Sequence, residues 1–73
     1  MIELRSNDFA WKEGLTVGEL LEDLKVRGTY KPAMESPGLM VVINGKIVAR
    51  DQYSSRTIGK DDVVSLMSFM TGG

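Results

Sequence analysis

The stretch Leu15-Thr16-Val17-Gly18-Glu19-Leu20-Leu21-Glu22-Asp23-Leu24-Lys25-Val26-Arg27-Gly28 decides the fold, because it spells out a helix together with both of its ends. Thr16 followed three residues later by Glu19 is a capping box: the hydroxyl can accept the Glu19 amide while the carboxylate reaches back to the Thr16 N–H. Leu15 and Leu20 flank the box as a hydrophobic staple that sets how the chain approaches the helix. Val17, Leu20, Leu21 and Leu24 recur at i, i+3, i+4 and i+7, one apolar stripe, and Glu22, Asp23 and Lys25 are left for water. Gly28 closes the helix behind Lys25 and Arg27, whose charges suit the negative end of its dipole. A single helix with one greasy side needs a sheet to cover it.

The sheet is visible on both sides of the helix. Downstream, Leu39 to Ile43 is a short continuous apolar strand, and Asn44-Gly45 is the preferred pair for a type I′ turn that returns the chain through Lys46, Ile47 and Val48. Val63 to Met70 reads as the last strand, with Val64, Leu66, Ser68 and Met70 on one face and Val63, Ser65, Met67 and Phe69 on the other. Upstream, Ile2 and Leu4 alternate with Glu3 and Arg5, Ser6-Asn7-Asp8 supplies turn chemistry, and Phe9 and Trp11 repeat the alternation, so a hairpin ending at Lys12-Glu13-Gly14 is expected. Thr29 to Gly38, with Pro32 and Pro37, is a loop returning the chain to the sheet, and residues 50–62 are irregular up to a turn at Gly59-Lys60-Asp61-Asp62. The expected core is Val17, Leu20, Leu21 and Leu24 against Ile2, Leu4, Val41, Ile43, Val64 and Leu66.

Composition removes most functions. The chain has 73 residues, enough for one domain over 1–73, and a domain of that size buries only about 60% of its unfolded surface, too little to house an enzyme pocket of its own. Nine Lys and Arg against ten Asp and Glu leave a net charge of −1, with no basic excess for nucleic acid or an anionic membrane. The absence of Cys and His excludes disulfides, thiol nucleophiles and the best zinc ligands, so no metal site is expected. The longest apolar run, Leu39 to Ile43, is far below the ~18 residues of a membrane span, and no signal peptide is expected, since Met1 leads straight into a strand-like pattern. A cytoplasmic protein is expected.

Little is left to carry chemistry. Asp61-Asp62 and Glu22-Asp23 could in principle pair as metal or acid–base groups, but neighbours in sequence point apart, and a solvated turn and helix face explain them more simply. Asn44-Gly45-Lys46 has the wrong glycine spacing for a phosphate loop. With Val41, Ile43, Val64 and Leu66 facing the helix, Met40, Val42, Met67 and Phe69 would form an apolar patch on the open side of the sheet; a one-residue slip in register would bury that set and expose the other. Thr71-Gly72-Gly73 is the unusual feature. Without Cβ atoms, Gly72 and Gly73 can lie in a channel too narrow for other residues, where a terminal carboxylate can be activated by a partner as an acyl adenylate. Taken alone, the dipeptide is more simply an ordinary chain end without fixed structure.

The order of elements and the Gly-Gly end together resemble the ThiS/MoaD family of ubiquitin-fold sulfur carriers. Leu15-Thr16-Val17 with Glu19-Leu20-Leu21 is similar to the family's helix start, Asp62 to Leu66 to its run into the last strand, and Gly72-Gly73 to its reactive tail. Ile43-Asn44-Gly45-Lys46-Ile47-Val48, Arg50 and Tyr53 resemble the thiamine branch more than the molybdopterin branch. The resemblance implies an α+β, ubiquitin-like β-grasp, a mixed four- to five-stranded sheet on one main helix, with first and last strands parallel and adjacent in its middle. It implies that the Gly73 carboxylate, presented by Gly72, is adenylated by an enzyme of the ubiquitin-activating type (ThiF/MoeB-like). A sulfur donor protein then converts it to a thiocarboxylate, which a thiazole synthase (ThiG-like) consumes. The carrier itself binds no cofactor and is no enzyme; the activating partner uses ATP. Val42 and Met67 at the centre of the open sheet face, with Phe69, Met70 and Thr71 leading into the tail, are the expected partner contacts. A molybdopterin-synthase small subunit and a ubiquitin-like modifier that forms amides with lysines share the same activation chemistry.

Overall fold

A computed structural model describes residues 2–30 and 34–68. Strand β1 (Ile2–Leu4) runs into a 3₁₀ turn at Ser6–Asp8; helix α1 (Val17–Arg27), β2 (Leu39–Ile43) and β3 (Lys46–Val48) follow; a second 3₁₀ turn at Arg50–Gln52 precedes β4 (Val64–Ser68). The four strands form one sheet in the order β1-β4-β2-β3, and α1 covers one face, an α+β ubiquitin-like β-grasp.

The helix ends are those the sequence specifies. Thr16 is extended at φ −92° and ψ 163°, its Oγ1 accepts the Glu19 N–H at 3.2 Å, and Glu19 Oε1 accepts the Thr16 N–H at 3.0 Å. Such a cap contributes about 0.5–2 kcal/mol. Gly28, at φ 70°, ends the helix. Val17, Leu20 and Leu24 are fully buried, whereas Leu21, on the flank of the stripe, is only half-buried. Asn44 and Gly45 have φ of 51° and 84°, the pair of positive values that a type I′ turn requires. The turn sets the register Ile43↔Lys46, Val42↔Ile47 and Val41↔Val48.

Two expectations about the sheet need correction. No hairpin strand follows β1: Asp8 Oδ2 accepts the Arg5 N–H at 2.8 Å and the Asp8 N–H donates to the Arg5 carbonyl at 2.7 Å, closing a local turn in place of a ladder. Phe9 then drops into the core and Trp11 packs beside it, so the aromatic alternation is satisfied by burial, not by strand pairing. The first and last strands are adjacent, but β1 lies at an edge and pairs antiparallel with β4, Ile2↔Leu66 and Leu4↔Val64, so the described sheet is antiparallel throughout instead of mixed. A strand of period two shows the same face in either direction; alternation therefore places Ile2 and Leu4 correctly without revealing which way the strand runs.

The core unites Leu4, Val17, Leu20, Leu24, Val41, Ile43, Val64 and Leu66, as expected, and adds Phe9, Leu15, Val48 and Ile58; Ile2 is only half-buried. The irregular stretch after β3 is closely tied to the helix start. The Val17 N–H donates to the Arg56 carbonyl and the Gly18 N–H to the Tyr53 carbonyl, both at 2.9 Å, while the Ile58 N–H donates to the Leu15 carbonyl at 2.8 Å. The first two bonds satisfy first-turn donors that an α-helix leaves without internal partners. Phe69 to Gly73, including the expected end of the last strand and the expected lack of fixed structure in the tail, lie outside the described residues.

Candidate functional site

Of the residues expected to carry function, Val42 and Met67 fall within the described chain, and both lie on the helix-free face of the sheet. The register decides this: Val41↔Leu66 and Ile43↔Val64 turn inwards, so Met40↔Met67 and Val42↔Ser65 turn outwards. Met40, Val42 and Met67 are half-buried, and Ile47, paired with Val42 from the edge strand, is 66% exposed. Together they form an apolar patch, with methionines able to adapt to a partner's shape. Ile47 had escaped the sequence reading, although its pairing with Val42 across the Asn44-Gly45 turn places it there. Phe69, Met70, Thr71, Gly72 and Gly73 lie outside the described residues.

The end of the sheet where β4 gives way to these residues has its own architecture. Leu39 pairs with Ser68, and Ser36 Oγ lies 2.6 Å from Ser68 Oγ. The Arg50 guanidinium donates to the Pro37 carbonyl at 3.0 Å. Beside it is an open depression of about 320 Å³ lined by Leu39, Met40, Ile47, Arg50 and Tyr53 among others, continuous with the apolar patch through Met40 and Ile47.

One acid of each pair is tied into the structure. Asp62 Oδ2 accepts the Gly59 N–H at 2.8 Å, its Oδ1 accepts the Asn44 amide at 2.9 Å, and Arg56 stands 3.9 Å away. The Gly59 bond above all, with Asn44 and Arg56 assisting against some desolvation, holds the Asp62 carboxyl below its ordinary value. Asn44 Oδ1 also accepts the Val63 N–H at 3.0 Å, so one side chain braces the turn before β4. Asp23 pairs with Arg27 at 3.1 Å along the helix, and Glu22 is exposed. Among the described residues no group of three or more potential metal-ligating side chains gathers, and no helix is long and apolar enough to cross a membrane.

A helix-backed sheet with an adaptable apolar face beside its last strand defines a ubiquitin-like β-grasp domain. The model of the ThiS family matches residues 2–73, and the chain belongs to that family. Its members are small sulfur carriers, not enzymes, that work with activating enzymes and sulfur-transfer partners. Searches of curated proteins and of solved structures return no significant match.

Proposed function

We propose that the chain is the sulfur carrier for thiazole formation in thiamine biosynthesis, and that its reactive group is the carboxylate of Gly73. The observation that supports the carrier reading is the family match, which runs through Gly72 and Gly73. An activating enzyme of the ubiquitin-activating type binds ATP; the Gly73 carboxylate oxygen attacks the α-phosphorus and pyrophosphate leaves. A persulfide sulfur of a donor protein attacks the adenylated carbonyl and AMP leaves; a further thiol then cleaves the S–S bond of the resulting acyl disulfide, forming a new disulfide with the donor sulfur and releasing the thiocarboxylate. That group is an anion at neutral pH and a better nucleophile than the oxygen acid, as sulfur donation to a carbon skeleton requires. The carrier supplies no cofactor of its own. The patch of Met40, Val42, Ile47 and Met67 docks the activating enzyme, with Phe69, Met70 and Thr71 continuing the contact into the partner's channel and Gly72 fitting its narrowest part.

The thiamine assignment rests on Ile43 to Val48, Arg50 and Tyr53, which resemble that branch. Incubation with ATP, a sulfur donor and the activating enzyme tests it by intact mass. The expected product has one oxygen exchanged for sulfur and loses that sulfur to a thiazole synthase. Loss of the sulfur only to a molybdopterin-forming enzyme would replace the branch, and an amide to a partner lysine would replace sulfur transfer by protein modification.

A further inference from the structure

The depression beside the apolar patch has about 320 Å³, and among the residues lining it, which include Leu39, Met40, Ile47 and Tyr53, only Arg50 is charged. Cavities that enclose a small ligand run from about 300 to 1,000 Å³. An open hollow at the bottom of that range suits one protruding side chain better than a cofactor. Its charged rim is fixed in advance. The Arg50 guanidinium donates to the Pro37 carbonyl at 3.0 Å, and the Arg50 carbonyl accepts the Tyr53 N–H at 3.2 Å. The Tyr53 carbonyl in turn accepts the Gly18 N–H at 2.9 Å, which ties this turn to the start of α1. A guanidinium has five N–H donors in a planar fork, and the bond to Pro37 uses one. No carboxylate among the described residues, that of Asp51 included, stands within ion-pair distance of it.

We infer that this depression is a specificity pocket of the docking surface: it receives an apolar side chain of the activating enzyme while Arg50 pairs with a carboxylate next to that side chain. The inference rests on the proposed docking of that enzyme on the open face, with which the depression is continuous through Met40 and Ile47. Charge complementarity names the occupant. An apolar hollow alone would accept any greasy group, whereas a cation held at its rim favours an acidic neighbour and repels a basic one. Because Arg50 is already anchored on Pro37, little freedom is lost when the pair forms, and a charge-assisted bond to a carboxylate is among the stronger polar contacts. A filled pocket beside a paired arginine is also the kind of anchor that carries much of the affinity of an interface.

The dissociation constant for the activating enzyme is measured at low and high salt for the wild type and for Arg50→Met, Ala49→Leu and Ile47→Asp, alongside thermal unfolding of each. Arg50→Met keeps an apolar stem but removes the charge, and should weaken binding about tenfold at low salt. Raising the salt should weaken the wild type and leave the Arg50→Met complex nearly unaffected. Ala49→Leu adds bulk to the lining at an exposed position and should weaken binding by about the same factor without altering the salt dependence. The unfolding midpoints of both should match the wild type. Loss of binding in Ile47→Asp with wild-type affinity in Arg50→Met and Ala49→Leu would overturn the pocket and leave the docking face standing. Wild-type affinity in all three would overturn both. A salt dependence of Arg50→Met equal to that of the wild type would overturn the carboxylate. Concentration-dependent shifts of the Ile47 and Tyr53 amide signals in the carrier alone, or shifts caused by an added peptide of residues 69–73, would give the depression to a second copy or to the chain's own end, and would overturn the assignment to the enzyme.

Discussion

The indole Nε1 of Trp11 donates a 2.7 Å hydrogen bond to the carbonyl of Ile58, joining the segment after β1 to the segment before β4. That bond takes the place of the strand pairing expected of Phe9 and Trp11. Trp11→Phe keeps most of the ring's packing but removes the donor and leaves the Ile58 carbonyl unpaired in a residue that is only 2% exposed. The expected cost is about 1–3 kcal/mol in urea unfolding, with an unchanged slope. A variant as stable as the wild type would show that the bond does not hold these segments together.

Acid should loosen the turn before β4. Asp62 has its carboxyl held below the ordinary 3.8, chiefly by the Gly59 N–H, and Glu19 has its own held below 4.5, chiefly by the Thr16 N–H. A carboxylate whose folded-state pKa is depressed contributes stability that is complete above its unfolded value and is lost as pH falls through the folded one. Stability should therefore be flat near neutral pH and fall below about pH 4. Asp62→Asn should be less stable at neutral pH and show a shallower acid decline. An acid decline as steep as that of the wild type would assign the effect to other groups.

Gly18→Ala should fail to stabilise the helix. Replacing a helical glycine ordinarily gains up to about 1 kcal/mol. Here the added Cβ would meet the Tyr53 carbonyl oxygen at 3.3 Å, and that oxygen is the acceptor of the Gly18 N–H. The backbone of 53–54 would have to yield, so a loss of about 1 kcal/mol is expected, read by thermal unfolding. A clear gain would mean that the segment adapts freely.

The two faces of the sheet should respond oppositely to charge. Leu66→Asp places a carboxylate at a position 1% exposed and should abolish cooperative folding. Ile47→Asp, on the open face, should change stability by no more than about 0.5 kcal/mol, yet weaken binding of the activating enzyme by about tenfold, and Met67→Asp should do the same with a somewhat larger stability cost. Unchanged affinity in both open-face variants would move the docking surface elsewhere.

The helix was legible from Leu15 to Gly28 because its caps and its 3.6-residue period are local properties, and the Asn44-Gly45 hairpin because its turn demands particular residues. Once that hairpin and β4 were paired, Val42 and Met67 had to face outwards. The direction of β1 was not legible, since Ile2 and Leu4 face the core whichever way the strand runs. Nor was Ile58, an isolated apolar residue in a polar stretch, which is buried in the core and whose N–H donates to the Leu15 carbonyl. Ser36 carries no periodic pattern at all, so its tie to Ser68 appears only when the loop closes on the sheet.

The central claim is that the chemistry resides in the Gly73 carboxylate, and a chain ending at Gly72 tests it most directly. Removing one residue withdraws the carboxylate by ~3.5 Å, well beyond what in-line attack tolerates. With the activating enzyme and ATP, the shortened chain should fold and bind as the full chain does but release no pyrophosphate. Pyrophosphate release at the full-length rate would contradict the assignment of the reactive group.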